Sequence, residues 1–462
     1  MAIAVVLTAL ACAACGSSYS ASELAARQRE VIGAQAQRTG ESPTRGADGN
    51  RPEDPDDAGQ PGDTTLSRPS GSDGRSGTEL GSDRSSDGSS ALGGAPTGTG
   101  DEIVVATVGN YSGIPGIVYR DAPKAIQAWA QATNEHGGIS GHPVRAIVRD
   151  DGSDPSKHVA IIRELVEKQG VVAFVAHYAP LSGAAGLDYL NSKEIPVVGG
   201  EVAETWWTTP MFFPQTAAGE HQFHRQVFSV RQMLEQESKT NVGILVCAEA
   251  ASCSAASAHW RRFAPDVGVK IVYDAAASVA QPDYTSECLA MQRARVDLVL
   301  TSLDGNSIRR LAGSCTRQGY APIIWLQGGA AQTQMRDDPN LDGLRATDNS
   351  YPYFLSGTPG AKAMHAALDA RIGDVDTFNV VTNAYASAKL LEQAIAGVSG
   401  PVTSKAIIAA LHTFRDESLG GLIVPVSYPA GADDAKQPFC WFQNGIDRGR
   451  WFSPTKGALS CA

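Results

Sequence analysis

From Ser20 to Asn110 the chain contains no Phe, Tyr or Trp. A stretch of that length without one large aromatic side chain cannot bury enough apolar surface to offset its own ordering entropy. Beyond the first residues there is also no apolar run of about 18 or more, so no later segment reads as a membrane-spanning helix. Basic excess is missing as well: 38 Lys and Arg stand against 49 Asp and Glu, a net charge of −11. Without a basic face, nucleic acid and anionic lipid are poor partners. Catalytic and nucleotide-binding motifs are absent in any usable context, including G-x-S-x-G, H-E-x-x-H, G-x-x-x-x-G-K-[ST] and G-x-G-x-x-G after a strand. Nothing therefore argues for an enzyme, a cofactor or a resident metal.

What is present begins with "AIAVVLTALACAACGSS". Residues 2–14 are apolar apart from Thr8, too short a run to span about 30 Å of hydrocarbon, and small residues follow where a signal peptidase would cut. Cys12 and Cys15 have the spacing of a redox pair, but no βαβ unit follows them. The segment resembles a bacterial lipoprotein signal, in which Cys15, followed by Gly-Ser-Ser, is the better lipid acceptor and Cys12 the poorer. Residues 1–15 then read as a signal and 16–101 as a disordered Gly/Ser/Asp/Pro-rich tether. A random coil of about 80 residues reaches about 50 Å on average, enough to hold a folded body clear of a membrane.

The body carries all seven Trp and six cysteines, Cys247, Cys253, Cys288, Cys315, Cys440 and Cys461. An even number in an exported chain favours disulfides, and zinc is the competing reading, although the body has no C-x-x-C pair. Six cysteines allow about 15 pairings. Local spacing suggests Cys247–Cys253, Cys288–Cys315 and Cys440–Cys461, each bracketing one supersecondary unit.

"DEIVVATVGNYSG", "HPVRAIVRDD", "VVAFVA" and "IPVVGG" are short β-branched runs separated by helical patterns. In "APKAIQAWAQATNEHGG" Ala125, Ile126, Trp129 and Ala132 share one helical face. In "GSDPSKHVAIIRELVEKQG" a cap at Ser153 or Asp154 precedes a stripe of Val159, Ile162, Leu165 and Val166. A second βα series follows in "NVGILVCAEA", "VKIVYDA", "VDLVLTSLDG" and "PIIWLQGG". This α/β alternation predicts parallel sheets flanked by helices, and its restart near residues 219–241 predicts two lobes. In such sheets ligands bind beyond the C-terminal strand ends. That rule selects the loops holding Tyr111 and Ser112, His177 to Ser182, Gly200 and Glu201, Asp304, and Gln327.

At "NEHGGISGHPVRAIVRDDGSDPSKHVAIIRELVEKQGVVAFVA" the chain resembles the substrate-binding proteins of branched-chain amino acid–type ABC transporters, the type I periplasmic binding fold. "MFFPQ" and "TNAYASAKLLEQAIAGV" agree with it in order. The resemblance implies two lobes joined by three hinge crossovers, with lobe 1 over 102–218 plus 350–418 and lobe 2 over 219–349 plus 419–462. It also implies closure on a small polar ligand, ABC permease subunits as partners, an extracytoplasmic place, and a monomer held to the membrane only by its lipid. A tethered sensor or surface-interaction lipoprotein of the same fold is the alternative.

The ligand residues it implies are Tyr111, Ser112, His177, Tyr178, Ser182, Gly200, Glu201, Asp304 and Gln327. Ser182 and Asp304 are equally readable as helix caps, and Trp206-Trp207 as core or cleft wall. His221 and His224 read as a surface face rather than a metal site. Where the family's loops carry serines, this chain has Ala179 and Pro180. Glu201 stands where a ligand carboxylate is expected, which argues against an ordinary α-amino acid pose.

Overall fold

The computed structural model describes residues 99–462 apart from 201–203, 208, 217–218 and 431–438. Cys12, Cys15, the tether up to residue 98 and Glu201 lie outside the described residues.

Strand β1 (Ile103–Gly109) is buried along its whole length, as a continuous apolar run in a parallel sheet should be. Its side chains alternate. Ile103 and Val105 enter the cluster that holds Trp129 and Leu391, whereas Val104, Ala106 and Val108 enter a second one with Ile162 and Leu165. Around β1 stand β2 (Val144–Asp150), β3 (Ala173–Val175), β4 (Val197–Val198) and β5 (Phe212–Phe213), in the order β2-β1-β3-β4-β5 with every pairing parallel.

Helix Ala122–Glu135 buries Ala125, Ile126, Trp129 and Ala132 against this sheet, matching its apolar spacing. It ends at Gly137 and Gly138, whose φ values of 95° and 78° favour glycine. Helix Pro155–Gln169 starts from Asp154, whose carboxylate accepts from Ser156 N and Lys157 N at 2.8 and 3.1 Å. Its stripe differs from the expected one: Ile162 and Leu165 are buried, but Val159 and Val166 are only half-buried and His158 takes the inner position. The cause is a carboxylate beneath the helix, described below.

The second sheet repeats the arrangement with β6 (Asn241–Cys247), β7 (Lys270–Ala277), β8 (Leu298–Ser302), β9 (Ile323–Gln327) and β10 (Arg345–Asp348), all parallel. Two antiparallel strands extend it, β11 (Cys440–Asp447) and β12 (Arg450–Phe452), giving the order β12-β11-β10-β9-β8-β6-β7. β13 (Ser460–Cys461) pairs with β11. The chain thus forms two α/β sheets of one design, as expected, with an antiparallel edge on the second.

Three disulfides close within this second half, Cys247–Cys253, Cys288–Cys315 and Cys440–Cys461. Just past the expected change of lobe at 419 lies a segment with partners in the first sheet's layer. Residues 422–428 pack with the first sheet's layer, where Tyr428 donates to Pro214 O at 2.6 Å and its ring meets Phe213 at 5.5 Å. The run "GLIVPV" has no helical period, so its partner could not be read from sequence. It pairs instead with the chain leaving β10: Tyr351 N donates to Leu422 O at 2.7 Å and Val424 N to Asn349 O at 3.0 Å.

Candidate functional site

At the C-terminal end of the first sheet a buried polar network holds the loops after β1, β2 and β3 together. Asn110 Nδ2 donates to Asp151 Oδ1 and to Ser182 Oγ, both at 2.7 Å, while Asn110 Oδ1 accepts from Leu181 N at 3.0 Å. Ser182 Oγ donates to Asp151 Oδ2 at 2.6 Å, and His158 Nδ1 lies 2.7 Å from the same oxygen. Burial alone would raise the Asp151 carboxyl. The hydrogen bonds from His158, Ser182, Ser153 N and Asn110 outweigh it and hold the group down at about 2. This carboxylate is what turns His158 inward.

Five expected ligand residues come together here, and their contacts are specific. The Tyr111 hydroxyl bonds to Thr107 Oγ1 and donates to Ala176 O at 3.3 Å, so it points back along the sheet, and burial drives its pKa far up. Tyr178 is buried and stacks on Tyr119 at 4.9 Å. The Ser182 hydroxyl is taken up by Asp151 and Asn110. Gly200 N donates to Gln215 Oε1 at 3.0 Å, and a Cβ there would come within 2.1 Å of His177 N. His177 is buried with no hydrogen-bond partner on either ring nitrogen, ringed by His158, Trp206 and Phe174. Burial and then His158 push its pKa well below the usual value, so it is neutral. Trp206 is core, 1% exposed. Ser112 is exposed beside this group, and Leu181 at 59% exposure is the larger of two exposed large apolar side chains among the described residues.

Asp304 and Gln327 stand apart from these, at the ends of β8 and β9. Asp304 caps helix Gly305–Arg317, accepting from Asn306 N at 2.9 Å and Ser307 N at 3.2 Å. Gln327 is half-buried ahead of Gly328. His224 stacks on Phe263 at 4.6 Å. Among the described residues no group of three or more His, Cys, Asp or Glu could hold a metal ion.

Helix Phe378–Ala396 brings the two strand-end regions near each other. Asn379 Nδ2 donates to Asp348 Oδ1 at 2.5 Å, at the end of β10. Two turns on, Ser387 Oγ lies where a Cβ on Gly199 would need to be, beyond the end of β4. Eight residues of helix cover about 12 Å, so both strand-end regions meet one short polar stripe. Its middle member, Asn383, donates to Asn379 Oδ1 at 2.7 Å and leaves its own Oδ1 without a partner.

Asp348 anchors the first end of this stripe. It is 2% exposed, takes hydrogen bonds from Asn379 and Asn444, and lies against Gly328. Burial raises its pKa to about 7, with the Asn444 hydrogen bond and Arg225 opposing. Arg225, on helix Glu220–Gln236, is 1% exposed, and its Nε and one terminal nitrogen have no partner. Burial lowers its pKa to about 10, offset in part by Asp348.

Sequence reading missed Asn110, Asp151, His158, Arg225, Asp348 and the Asn379-Asn383-Ser387 stripe as polar centres. The stripe had a signal, polar residues at i, i+4 and i+8 in an otherwise apolar helix. Asp348 and Arg225 had none, since their meeting depends on packing between distant segments.

The chain belongs to the periplasmic binding protein family, whose model matches residues 102–431. Members of that family are solute-binding proteins. Comparison with the curated proteins finds no match. Solved structures share the fold at low identity. The branched-chain amino acid transporter substrate binding protein LivJ from Streptococcus pneumoniae, in complex with isoleucine, is 16% identical with a TM-score of 0.64, over 78% of this chain and 99% of that one. A fatty acid ABC transporter substrate-binding protein from Thermomonospora curvata is 19% identical with a TM-score of 0.62, over 79% and 92%. A solute binding protein from R. palustris, in complex with 4-hydroxybenzoate, is 19% identical with a TM-score of 0.61, over 76% and 95%.

Proposed function

We propose that this chain is an extracytoplasmic solute-binding lipoprotein, anchored through Cys15, that closes on one small polar ligand and presents it to an ABC permease. The observation that carries the reading is the convergence of both sheets' C-terminal regions on the Asn379-Asn383-Ser387 stripe. Two α/β lobes whose ligand-binding edges meet at one joint can trap a solute by rotating about it, and binding then shifts an open–closed equilibrium. The cysteines fit an oxidising compartment.

The three relatives above were named for an amino acid, a fatty acid and an aromatic acid, so the fold leaves the solute class open. For this chain the candidate ligand side chains remain Tyr111, Ser112, His177, Tyr178, Ser182, Gly200, Glu201, Asp304 and Gln327. Among the described ones in the first sheet's loops Ser112 is exposed, and Leu181 beside Ser182 is exposed as well. The test is a thermal-shift screen of the full chain against amino acids, amides, polyamines, nucleosides, fatty acids and aromatic acids. A saturable rise in melting temperature with one class supports the reading, and a flat response across all of them removes it. Mass spectrometry of the membrane-extracted chain tests the anchor, with a diacylglyceryl adduct on Cys15 expected and lost in Cys15→Ala.

A further inference from the structure

A guanidinium removed from water is costly unless it is paired and hydrogen-bonded. Arg225 is 1% exposed, yet neither its Nε nor one of its terminal nitrogens has a hydrogen-bond partner. Among the described residues no carboxylate comes within ion-pair distance of it. The charge that acts on it is Asp348, and that carboxylate already takes its hydrogen bonds from Asn379 and Asn444. The joint between the lobes therefore holds a buried cation with unused N–H donors at Nε and Nη1, beside a carboxylate committed elsewhere.

The planar N–H donors of a guanidinium match the oxygens of a carboxylate. We propose that Arg225 is an anion receptor at the joint, and that the solute carried by this chain presents a carboxylate there. This rests on the solute-binding reading above and narrows it to an anionic ligand. It assigns the anion to the joint rather than to the hydroxyls of the first-lobe loops, where Ser182 is already engaged by Asp151 and Asn110. The position also couples binding to closure, because Arg225 belongs to the helix that begins the second lobe while Asn379 begins the helix that returns to the first.

The probe is sodium acetate, the smallest stable carboxylate of this type, with acetamide as its neutral match and sodium chloride as an inorganic anion. Melting temperatures of the full chain and of Arg225→Met are measured against each. General salt effects appear in both proteins, so the difference between them isolates the Arg225 site. That difference should rise saturably with acetate, rise less with chloride and stay flat with acetamide. No difference with acetate overturns the receptor, and a chloride response equal to acetate makes it a structural ion site and overturns the solute assignment. Should Arg225→Met not fold, Arg225→Lys keeps the charge but loses the planar edge, and its acetate response should weaken at least tenfold. An Arg225→Lys response equal to wild type overturns the proposal. A solute found by screening that binds Arg225→Lys as tightly as wild type would remove this inference and leave the solute-binding reading standing.

Discussion

The carboxylate of Asp348 occupies the space that a side chain on Gly328 would need: an ideal Cβ at residue 328 would lie 1.1 Å from Asp348 Oδ1. The end of β9 and the end of β10 are therefore locked as a glycine and an acid. Gly328→Ala should force the carboxylate away from Asn379 and Asn444 and cost about 3 kcal/mol in denaturant unfolding. Adding Asp348→Ala should recover most of that loss, a coupling readable in a double-mutant cycle. Additive losses would mean that the clash is relieved elsewhere.

Asp348 also sets a pH dependence of unusual sign for an acid. Its pKa rises from 3.8 to about 7 in the fold, so its stabilising contribution is complete below 3.8 and is lost as pH climbs through 7. Asp348→Asn removes this group from the titration, and the Asn444 Oδ1 atom is free to accept from the new amide after a flip. The variant should gain on wild type by about 2 kcal/mol between pH 5 and pH 8. The depressed pKa of His177 adds a pH dependence of its own, but it is common to both proteins and cancels in the difference. Parallel stability curves would refute the raised pKa.

How much of this was legible beforehand differs by the range of the interaction. Ala125, Ile126, Trp129 and Ala132 announce their helix because burial repeats with the helical period. The disulfide partners announce themselves because each pair closes a short loop. The stripe on helix Pro155–Gln169 misleads at Val159 and Val166, because a hydrophobic pattern carries no record that Asp151 lies beneath and draws His158 in. The candidate ligand loops follow from the strand-end rule, but the rule does not say which hydroxyls the fold keeps for itself. Ser182 and Asp304 read in sequence equally as ligand residues or helix caps; in the structure Ser182 bonds Asp151, and Asp304 caps its helix.

The Asp151 network should behave as one unit under acid. Its carboxyl is held at about 2 against an ordinary 3.8, so the stability it contributes is present above 3.8 and is lost as pH falls towards 2. That difference corresponds to about 2 kcal/mol at neutral pH. Asp151→Asn should lower stability by about that much at pH 7 and flatten the acid limb below pH 4. Ser182→Ala should cost about 1 kcal/mol, and its effect should shrink in the Asp151→Asn background. If Ser182→Ala leaves stability unchanged and abolishes solute binding, the hydroxyl serves the ligand instead of the network.

The three disulfides close loops of very different length, with sequence separations of 6, 27 and 21 residues. Chain-entropy reasoning makes the longer loops the stronger constraints on the unfolded chain. Paired Cys→Ser replacement should cost about 2 kcal/mol at Cys247–Cys253 and about 3.5 kcal/mol at Cys288–Cys315. The Cys440–Cys461 pair should fall just below the latter, but it has a second effect. It ties the start of β11 to β13, and β11 supplies Asn444 to Asp348. Its removal should therefore alter the pH dependence set by Asp348 as well as the unfolding midpoint, whereas removal of Cys288–Cys315 should change the midpoint alone. Equal pH profiles for the two double variants would separate β11 from the joint.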